Sequence, residues 1–313
     1  MASNIAWELY RSFLGVLNEG SLSGAARLLG ITQPTVGRHI AALEKALGVV
    51  LFTRSQTGLM PTEVALTLRA HAQTMENTAA SIERAASSQG AAVHGIVRIS
   101  ASDVIGVEVL PPIITRLRQQ HPALKVELVL TNRVVDLLQL EADIAVRMMR
   151  PRQEQLVARR IGQIELGLHA HAEYLSQHGM PRDLNELAGH SIIGYDQPNA
   201  FIRSISKSIK GIDRQLFSLS SDSDLAQLAL IRAGAGIGFC QVPLAKHDAA
   251  LQRVLSTSFS LGLETWVTMH EDLRNSPRCR AAFDALVEGL QQYANPDGRM
   301  IEIAPSASTP VTI

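Results

Sequence analysis

The stretch Ser21–Gly48, SLSGAARLLGITQPTVGRHIAALEKALG, constrains the fold most, because its pattern predicts two short helices joined by a tight turn. Apolar residues recur at helical spacing in both halves. Ser21 and Ser23 are the candidate caps of the first helix, and Thr32 can cap the second. Gly30 can end the first helix at low cost in the left-handed conformation. Ile31 is expected to turn back into the core. The buried stripe of the second helix is predicted to consist of Val36, Ile40, Leu43 and Leu47.

The opposite face of the second predicted helix carries only small and basic residues. They are Pro34, Arg38, Ala41, Ala42 and Lys45. A helix with such a face can lie deep in a groove, and a helix-turn-helix places its second helix in the major groove of DNA. Two amphipathic helices around a glycine also occur as plain packing units, so the spacing alone leaves both interpretations open.

A predicted wing follows these helices and favours the DNA-binding interpretation. Leu51–Arg54 has the pattern of a short strand, Ser55–Gly58 that of a turn, and Leu59-Met60 that of a return strand. Arg54 would then reach a phosphate or a minor groove. Residues 20–60 contain four basic residues and one acidic residue, a net charge of +3 in a chain with a formal charge of zero. This modest excess favours oriented binding over general attraction to polyanions.

The segment Trp7–Glu63 resembles the winged helix-turn-helix of LysR-type transcriptional regulators. The chain departs from the family pattern at Gly37, where serine is common, and near Gln56-Thr57, where a second wing arginine is absent. The matching residues are Phe13, Gly20-Ser21, Ala25-Ala26, Leu29, Thr32-Gln33-Pro34, Val36, Arg38, Ile40, Leu43-Glu44, Leu47-Gly48, Leu51-Phe52, Arg54 and Pro61-Thr62-Glu63.

This resemblance implies a double-stranded DNA operator as partner, with contacts from both helices and the wing. The implied DNA-binding residues are Ser23, Thr32, Gln33, Pro34, Thr35, Arg38 and Arg54.

A long helix free of glycine and proline is predicted over Thr62–Ser88. A regular heptad seam of this kind favours a partner helix and hence a dimer. The alternative is a surface helix packed only on its own domain, but the family resemblance includes this linker helix and favours the dimer. The seam residues are Ala65, Leu68, Ala72, Met75, Ala79, Ile82 and Ala86.

The rest of the chain alternates predicted strands and helices, which favours an α/β fold with a parallel sheet and ligand access at the strand ends. The predicted strands include Ile96–Ser100, Lys125–Leu130, Asp143–Met148 and two extended runs within Leu156–His171; the predicted helices include Val109–Gln120, Val134–Leu140 and Leu184–Leu187. This region resembles the regulators' effector domain, which has two α/β lobes like a periplasmic binding protein. The matching segments include Gly95–Ile99, Leu110-Pro111, His121-Pro122, Ala142–Arg147, Tyr174-Leu175 and Gly234–Gly238.

Three functional parts and a tail are therefore predicted. They are a winged helix-turn-helix domain over 1–61, a linker and dimerisation helix over 62–90, an effector-binding domain over 91–295 and a disordered tail over 296–313. The two lobes of the effector domain are expected at about 91–162 plus 267–295 and at 163–266.

Polar residues at the ends of three predicted strands are the candidate effector-binding residues. Ser100 and Ser102 follow the first strand, where hydroxyl groups near a helix N-terminus favour an anion, or merely cap that helix. Thr131 and Asn132 end the second strand, and Arg147 ends the third. The resemblance places Ser102 where these regulators hold an effector, often a carboxylate. Arg147 could pair with such a carboxylate or with a protein acid such as Asp143.

Other chemistries find little support in the sequence. The glycines of Gly234-Ala-Gly-Ile-Gly238 lead into a strand rather than out of one, which disfavours a dinucleotide site. His169 and His171 share one face of a strand but lack a third convincing metal ligand. Two separated cysteines, Cys240 and Cys279, are typical of a reducing compartment. Without a signal peptide, membrane span, cofactor motif or metal motif, a cytoplasmic protein is expected.

These patterns predict a non-enzymatic transcription factor that binds a small-molecule effector, a small organic anion, and thereby alters its operator binding. The resemblance implies a homodimer or a homotetramer. The rival interpretations are a solute-binding or enzymatic domain fused to a DNA-binding module, and an architectural DNA-binding protein without a ligand.

Overall fold

Two separate units make up the structure, a computed structural model that describes residues 5–55, 58–86, 92–132, 141–151, 155–197 and 214–295. The first unit consists of the described chain up to Ala86 together with Glu141. Its elements are the helices α1 (Trp7–Glu19), α2 (Leu22–Leu29), α3 (Gln33–Leu47) and α4 (Glu63–Ala86), with strands β1 (Phe52–Ser55) and β2 (Gly58–Pro61) between α3 and α4.

The helix boundaries of the first unit follow from capping, as predicted. The hydroxyl oxygen of Ser21 accepts a hydrogen bond from the amide of Gly24 at 3.0 Å, and that of Thr32 accepts one from Thr35 at 3.4 Å. Gly30 ends α2 with a φ of 67°. The prediction for Ile31 is wrong: its side chain is 37% exposed.

The wing is a two-stranded antiparallel hairpin with Thr53 opposite Met60, and its strands are those predicted to within a residue or two. Its second strand begins at Gly58, where φ is 131°. The next amide, that of Leu59, donates a hydrogen bond to the carbonyl oxygen of Gly20 at 3.0 Å. The wing is thereby joined to the end of α1.

The second unit contains most of the remaining chain. Its strands are β3 (Gly95–Ala101), β4 (Leu124–Leu130), β5 (Ile144–Arg147), β6 (Leu156–His171), β7 (Ile192–Gly194), β8 (Phe217–Ser220), β9 (Gly238–Gln241), β10 (Leu251–Val254) and β11 (Leu261–His270). Its α-helices are α5 (Leu110–Gln120), α6 (Ala172–His178), α7 (Asp224–Arg232), α8 (Val242–Ala245) and α9 (Pro277–Ala294). A π-helical turn, Ile105–Val109, precedes α5, and 3₁₀ turns lie at Glu186–Gly189, Arg214–Leu216 and Glu271–Leu273.

The main sheet is mixed, whereas a parallel sheet was expected. Its strand order is β10-β6-β11-β5-β3-β4, with β9 also paired to β6. Strand β3 pairs in parallel with β4 and β5. Strand β11 runs antiparallel to β5 and β6, and β6 also runs antiparallel to β9 and β10. The two runs predicted in Leu156–His171 form one continuous strand, and its pairing with β11 shifts register between Thr265 and Trp266. Strands β7 and β8 form a separate parallel pair.

Apolar side chains form a core on each part of the sheet. Strands β3 and β5 with helices α5 and α9 enclose one core, which includes Ile99, Ile144 and Leu286. Another lies beside β6 and α6 and includes Leu168 and Tyr174. The segment predicted as helical at Leu184–Leu187 is a 3₁₀ turn, Glu186–Gly189. The helix predicted at Val134–Leu140 and the tail predicted over 296–313 fall outside the described residues.

Gly236 tests the packing of the second unit, because a Cβ atom there would lie 2.3 Å from the carbonyl oxygen of Ser191. We expect Gly236→Ala to lower the free energy of unfolding of this unit by about 1–3 kcal/mol through overpacking. Urea unfolding followed by the fluorescence of Trp266, in a Trp7→Phe background, measures this change. Gly189→Ala is the control, since a Cβ atom at Gly189 would meet nothing within 4 Å; equal effects of the two substitutions would contradict the packing argument.

Candidate functional site

The first candidate site is the outward face of α3. Val36, Ile40 and Leu43 are buried in the core of the first unit, with 0%, 7% and 1% of their surfaces exposed. This burial fixes the rotation of the helix about its axis and turns the opposite face outward. That face carries Gln33, Pro34, Arg38, Ala41, Ala42 and Lys45, and all six are exposed.

The start of α3 brings three of the predicted DNA-binding side chains together. The hydroxyl groups of Thr32 and Thr35 lie 2.8 Å apart, and Arg38 donates from Nη2 to Oγ1 of Thr35 at 3.4 Å. Ser23 is exposed on α2, and Arg54 is exposed on β1. The guanidinium groups of Arg38 and Arg54 thus face solvent, where they can reach a polyanion.

One residue on this helix escaped the sequence analysis. Nδ1 of His39 lies 2.7 Å from the hydroxyl of Ser12, which is buried in α1. This hydrogen bond joins α1 to the helix that carries Arg38. The only signal in the sequence is the position of His39 beside Ile40, one residue from the buried stripe.

The second candidate site is the edge of the main sheet where β3, β4 and β5 end. Ser100 is fully buried, and its hydroxyl accepts a hydrogen bond from Nη2 of Arg147 at 2.6 Å. The amide of Thr131 donates to the carbonyl oxygen of Ala101 at 2.9 Å, which places the end of β4 beside the end of β3. Ser102, the next residue, is partly exposed and leads into the π-helical turn. The five predicted effector-binding residues are therefore close to one edge.

A ligand carboxylate and a protein acid such as Asp143 were the two predicted partners of Arg147, and the structure shows what each of the two residues contacts. Arg147 donates to Ser100 and, from Nη1, to the carbonyl oxygen of Val146 at 2.8 Å. Asp143 accepts a hydrogen bond from the amide of Arg98 at 2.9 Å and lies 3.7 Å from the buried guanidinium of Arg278. Asp143 thus has a cation of its own within the core.

Asn132 connects this edge to α7 through residues that the sequence analysis missed. Its amide group donates to Oδ2 of Asp224 at 2.8 Å and to Oδ2 of Asp103 at 3.3 Å. The hydroxyl of Tyr195 donates to Oδ1 of Asp224 at 2.5 Å. Burial raises the pKa of Asp224, although the bonds from Tyr195 and Asn132 favour its charged form; burial also raises the pKa of Tyr195. Ser223-Asp224 is a good helix start, but no local pattern links it to Asn132.

The alternatives rejected from sequence have structural explanations. His169 is buried and bonds through Nδ1 to the carbonyl oxygen of Gly167 at 3.2 Å, and burial lowers its pKa to about 4. His171 caps α6 by accepting a hydrogen bond from the amide of Glu173. Gly238 allows close packing, because a Cβ atom there would lie 2.8 Å from Ile231. The described ranges hold no group of three metal-ligating side chains and no helix long and apolar enough to cross a membrane.

Comparison with protein families identifies both units. The family model described as the LysR substrate binding domain matches residues 90–291, and the bacterial regulatory helix-turn-helix protein, lysR family, matches residues 7–66. The chain belongs to the LysR family. It is a transcriptional regulator with a DNA-binding helix-turn-helix and an effector-binding domain, and the predicted fold class is confirmed.

Individual relatives agree with this assignment. The HTH-type transcriptional regulator CrgA of Neisseria meningitidis serogroup C (strain 8013) is 29% identical over 76% of this chain and 80% of its own length. The solved structure of CrgA from Neisseria meningitidis covers 90% of this chain and 98% of its own, with a TM-score of 0.57 and 25% identity. Full-length CbnR, crystallised with its target DNA, has a TM-score of 0.65 at 20% identity and covers 92% of this LysR-family chain and 100% of its own.

The contact between Tyr195 and Asp224 can be measured in a double-mutant cycle of this regulator. We expect the double variant Tyr195→Phe, Asp224→Ala to lose about 1.5–3 kcal/mol less stability than the sum of the two single losses. The reason is that either substitution alone already removes the same hydrogen bond to a charged group. Urea unfolding of the second unit, followed by Trp266 fluorescence, provides the four free energies. Additive effects of the two substitutions would show that the hydroxyl and the carboxylate do not interact.

Proposed function

We propose that this LysR-family regulator binds a small organic anion at the edge formed by β3, β4 and β5, and that occupancy alters its binding to a DNA operator. The proposal includes DNA contacts from the exposed face of α3 and from the wing. It also includes the predicted division into a winged domain, a linker helix and a two-lobed effector domain, a cytoplasmic location, and assembly as a dimer or tetramer.

The exposed face of α3 is the observation that supports DNA contact. Its small residues, Pro34, Ala41 and Ala42, leave the helix axis free to approach a groove closely, and Arg38 carries donors suited to a guanine edge or a phosphate. CbnR, which shares the fold, has been crystallised with its target DNA. Binding of DNA by this chain is therefore proposed to use the exposed face of α3.

The charges along the sheet edge support an anionic effector with a defined orientation. Arg147, whose guanidinium is held by the buried hydroxyl of Ser100, supplies donors at one end, and the hydroxyl of Ser102 adds another. Asp103 and Asp224 lie beside Asn132 and disfavour negative charge there. A carboxylate of the effector would therefore lie toward Arg147, and its uncharged or donor groups would lie toward Asn132.

The surface of α4 supports a second copy of the chain as partner. Ala65 and Ala72, in the first half of the seam, are buried in the core of the first unit. Met75 and Ile82, in the second half, are 41% and 65% exposed. The first half of the predicted seam therefore packs in the chain's own domain. The second half leaves an apolar surface that a second α4 can cover.

Arg38→Ala tests the DNA contact. We expect it to weaken binding to the preferred sequence by about 1–3 kcal/mol, because bidentate base contacts have this value. Fluorescence anisotropy with a duplex selected from random DNA by the wild-type regulator measures the affinity at several salt concentrations. Arg274→Ala removes the same charge from an exposed position of the second unit and is the control. Equal affinities of the wild type and the Arg38 variant would exclude α3 as the recognition helix.

Ser102→Ala tests the effector site. A thermal-shift screen with small mono- and dicarboxylates first identifies the acid that stabilises the wild type most. We expect Ser102→Ala to lower the affinity for this acid about ten-fold, because one hydrogen bond to a charged group is lost. Ser256→Ala, at an exposed serine, is the control. A Ser102 variant with unchanged affinity would place the carboxylate elsewhere.

A further inference from the structure

A second cavity of the effector-binding unit takes no part in the proposed effector site. It is a groove of about 800 Å³, within the size range of small-molecule sites. Its lining comes from the π-helical turn and α5 on one side, the C-terminal end of α7 and the segment around α8 on the other, and α9. None of the five predicted effector-binding residues lines it.

The floor of the groove is apolar and closely packed. Gly289 of α9 permits this packing, because a Cβ atom there would lie 2.6 Å from the side chain of Ile113. A floor of this kind accepts an aliphatic or aromatic body. The apolar lining residues are Val109, Pro112, Ile113, Leu244 and Ala249.

The carboxylates of the groove are already ion-paired. Arg232 donates from Nη1 and Nη2 to the two carboxylate oxygens of Glu108, both at 2.8 Å, and from Nε to Asp248 at 3.3 Å. This hydrogen bonding lowers the pKa of Glu108 and keeps it ionised. The hydroxyl of Tyr293 donates to Gln241 at 2.7 Å. The side chains of these residues use their hydrogen-bonding atoms on one another, so few of these atoms remain for a ligand.

Two basic groups at the rim remain available. Arg116 on α5 and His247 after α8 are exposed, and neither makes a side-chain hydrogen bond or ion pair with any part of the chain that the structure describes. The fixed charges of the ion-paired group, Glu108, Arg232 and Asp248, sum to −1, and Arg116 balances them. The polar groups of the groove that remain able to bind a ligand are therefore hydrogen-bond donors, and that of Arg116 is cationic.

We propose that this groove is a second ligand site, distinct from the sheet-edge site, for a small amphipathic carboxylate. The hydrophobic body lies on the floor around Ile113, and the carboxylate accepts hydrogen bonds from the guanidinium of Arg116. The unused guanidinium donors of Arg116 at the rim and the apolar floor together define this class: an aryl- or branched-alkyl carboxylic acid.

The test uses the full-length protein, with 3-phenylpropionate as probe and the δ1-methyl NMR signal of Ile113 as reporter. We expect a saturable shift of this signal. Arg116→Gln should weaken the probe about ten-fold, because a charge-assisted bidentate pair is lost. Arg274→Gln, at an exposed arginine of the same unit outside both sites, is the matched control and should leave the titration unchanged. The methyl signal of Ile40, in the other unit, should not move.

Three outcomes would overturn the proposal. An unmoved Ile113 signal, or an affinity that Arg116→Gln leaves unchanged, would show that the probe does not bind in the groove as proposed. Equal binding of the neutral 3-phenylpropionamide would refute the anionic class. A shift that depends on protein concentration and not on the probe would show that a second copy of the chain occupies the groove. None of these results bears on Ser102, so the two sites are tested independently.

Discussion

Burial of one apolar stripe on α3 is the interaction on which the proposed DNA contact of this regulator depends. Removing a side chain of this size from water contributes about 1.5–3 kcal/mol, and Val36, Ile40 and Leu43 are all removed. Rotating the helix to bury Arg38 would forfeit this energy and desolvate a charge. The face proposed to contact DNA is thus held outward before any DNA arrives, and binding need not meet the cost of ordering it. The bond between His39 and Ser12 restricts the same rotation from the side.

In the effector-binding unit, the register of the strands determines the face from which Arg147 projects. Ser100 lies opposite Ala145 in the parallel pairing of β3 with β5, so the side chains of Ser100, Ala145 and Arg147 project from the same face. A slip of one residue would turn Arg147 to the other face, into the core that contains Ile144 and Val146. The hydrogen bond between Arg147 and Ser100 therefore depends on the core beneath it.

Local chemistry predicted the first unit well, because its helices depend on nearby residues: Ser21, Thr32 and Gly30 determine where they begin and end. Ile31 was misplaced because its amide bonds back to the carbonyl of Ala26, which completes the helix end and leaves the side chain at the surface. The second unit depends on distant pairings. Neither the antiparallel pairing of β6 nor the contact of Asn132 with Asp224, 92 residues apart, leaves a periodic trace in the sequence. The ends of three predicted strands indicated the position of the sheet edge, but not that Asp224 of α7 contacts it.

Helix α7 is tied to the segments after β3 and β4 at both of its ends. At its start Asp224 accepts a hydrogen bond from Asn132, and at its end Arg232 makes a bidentate pair with Glu108. The proposed effector site adjoins the first contact, and the groove adjoins the second. A ligand at either place can influence the other only by favouring one position of α7 over another, since equal affinity for both positions shifts nothing. Any such coupling must be reciprocal, so the two ligands would strengthen or weaken each other's binding by the same factor.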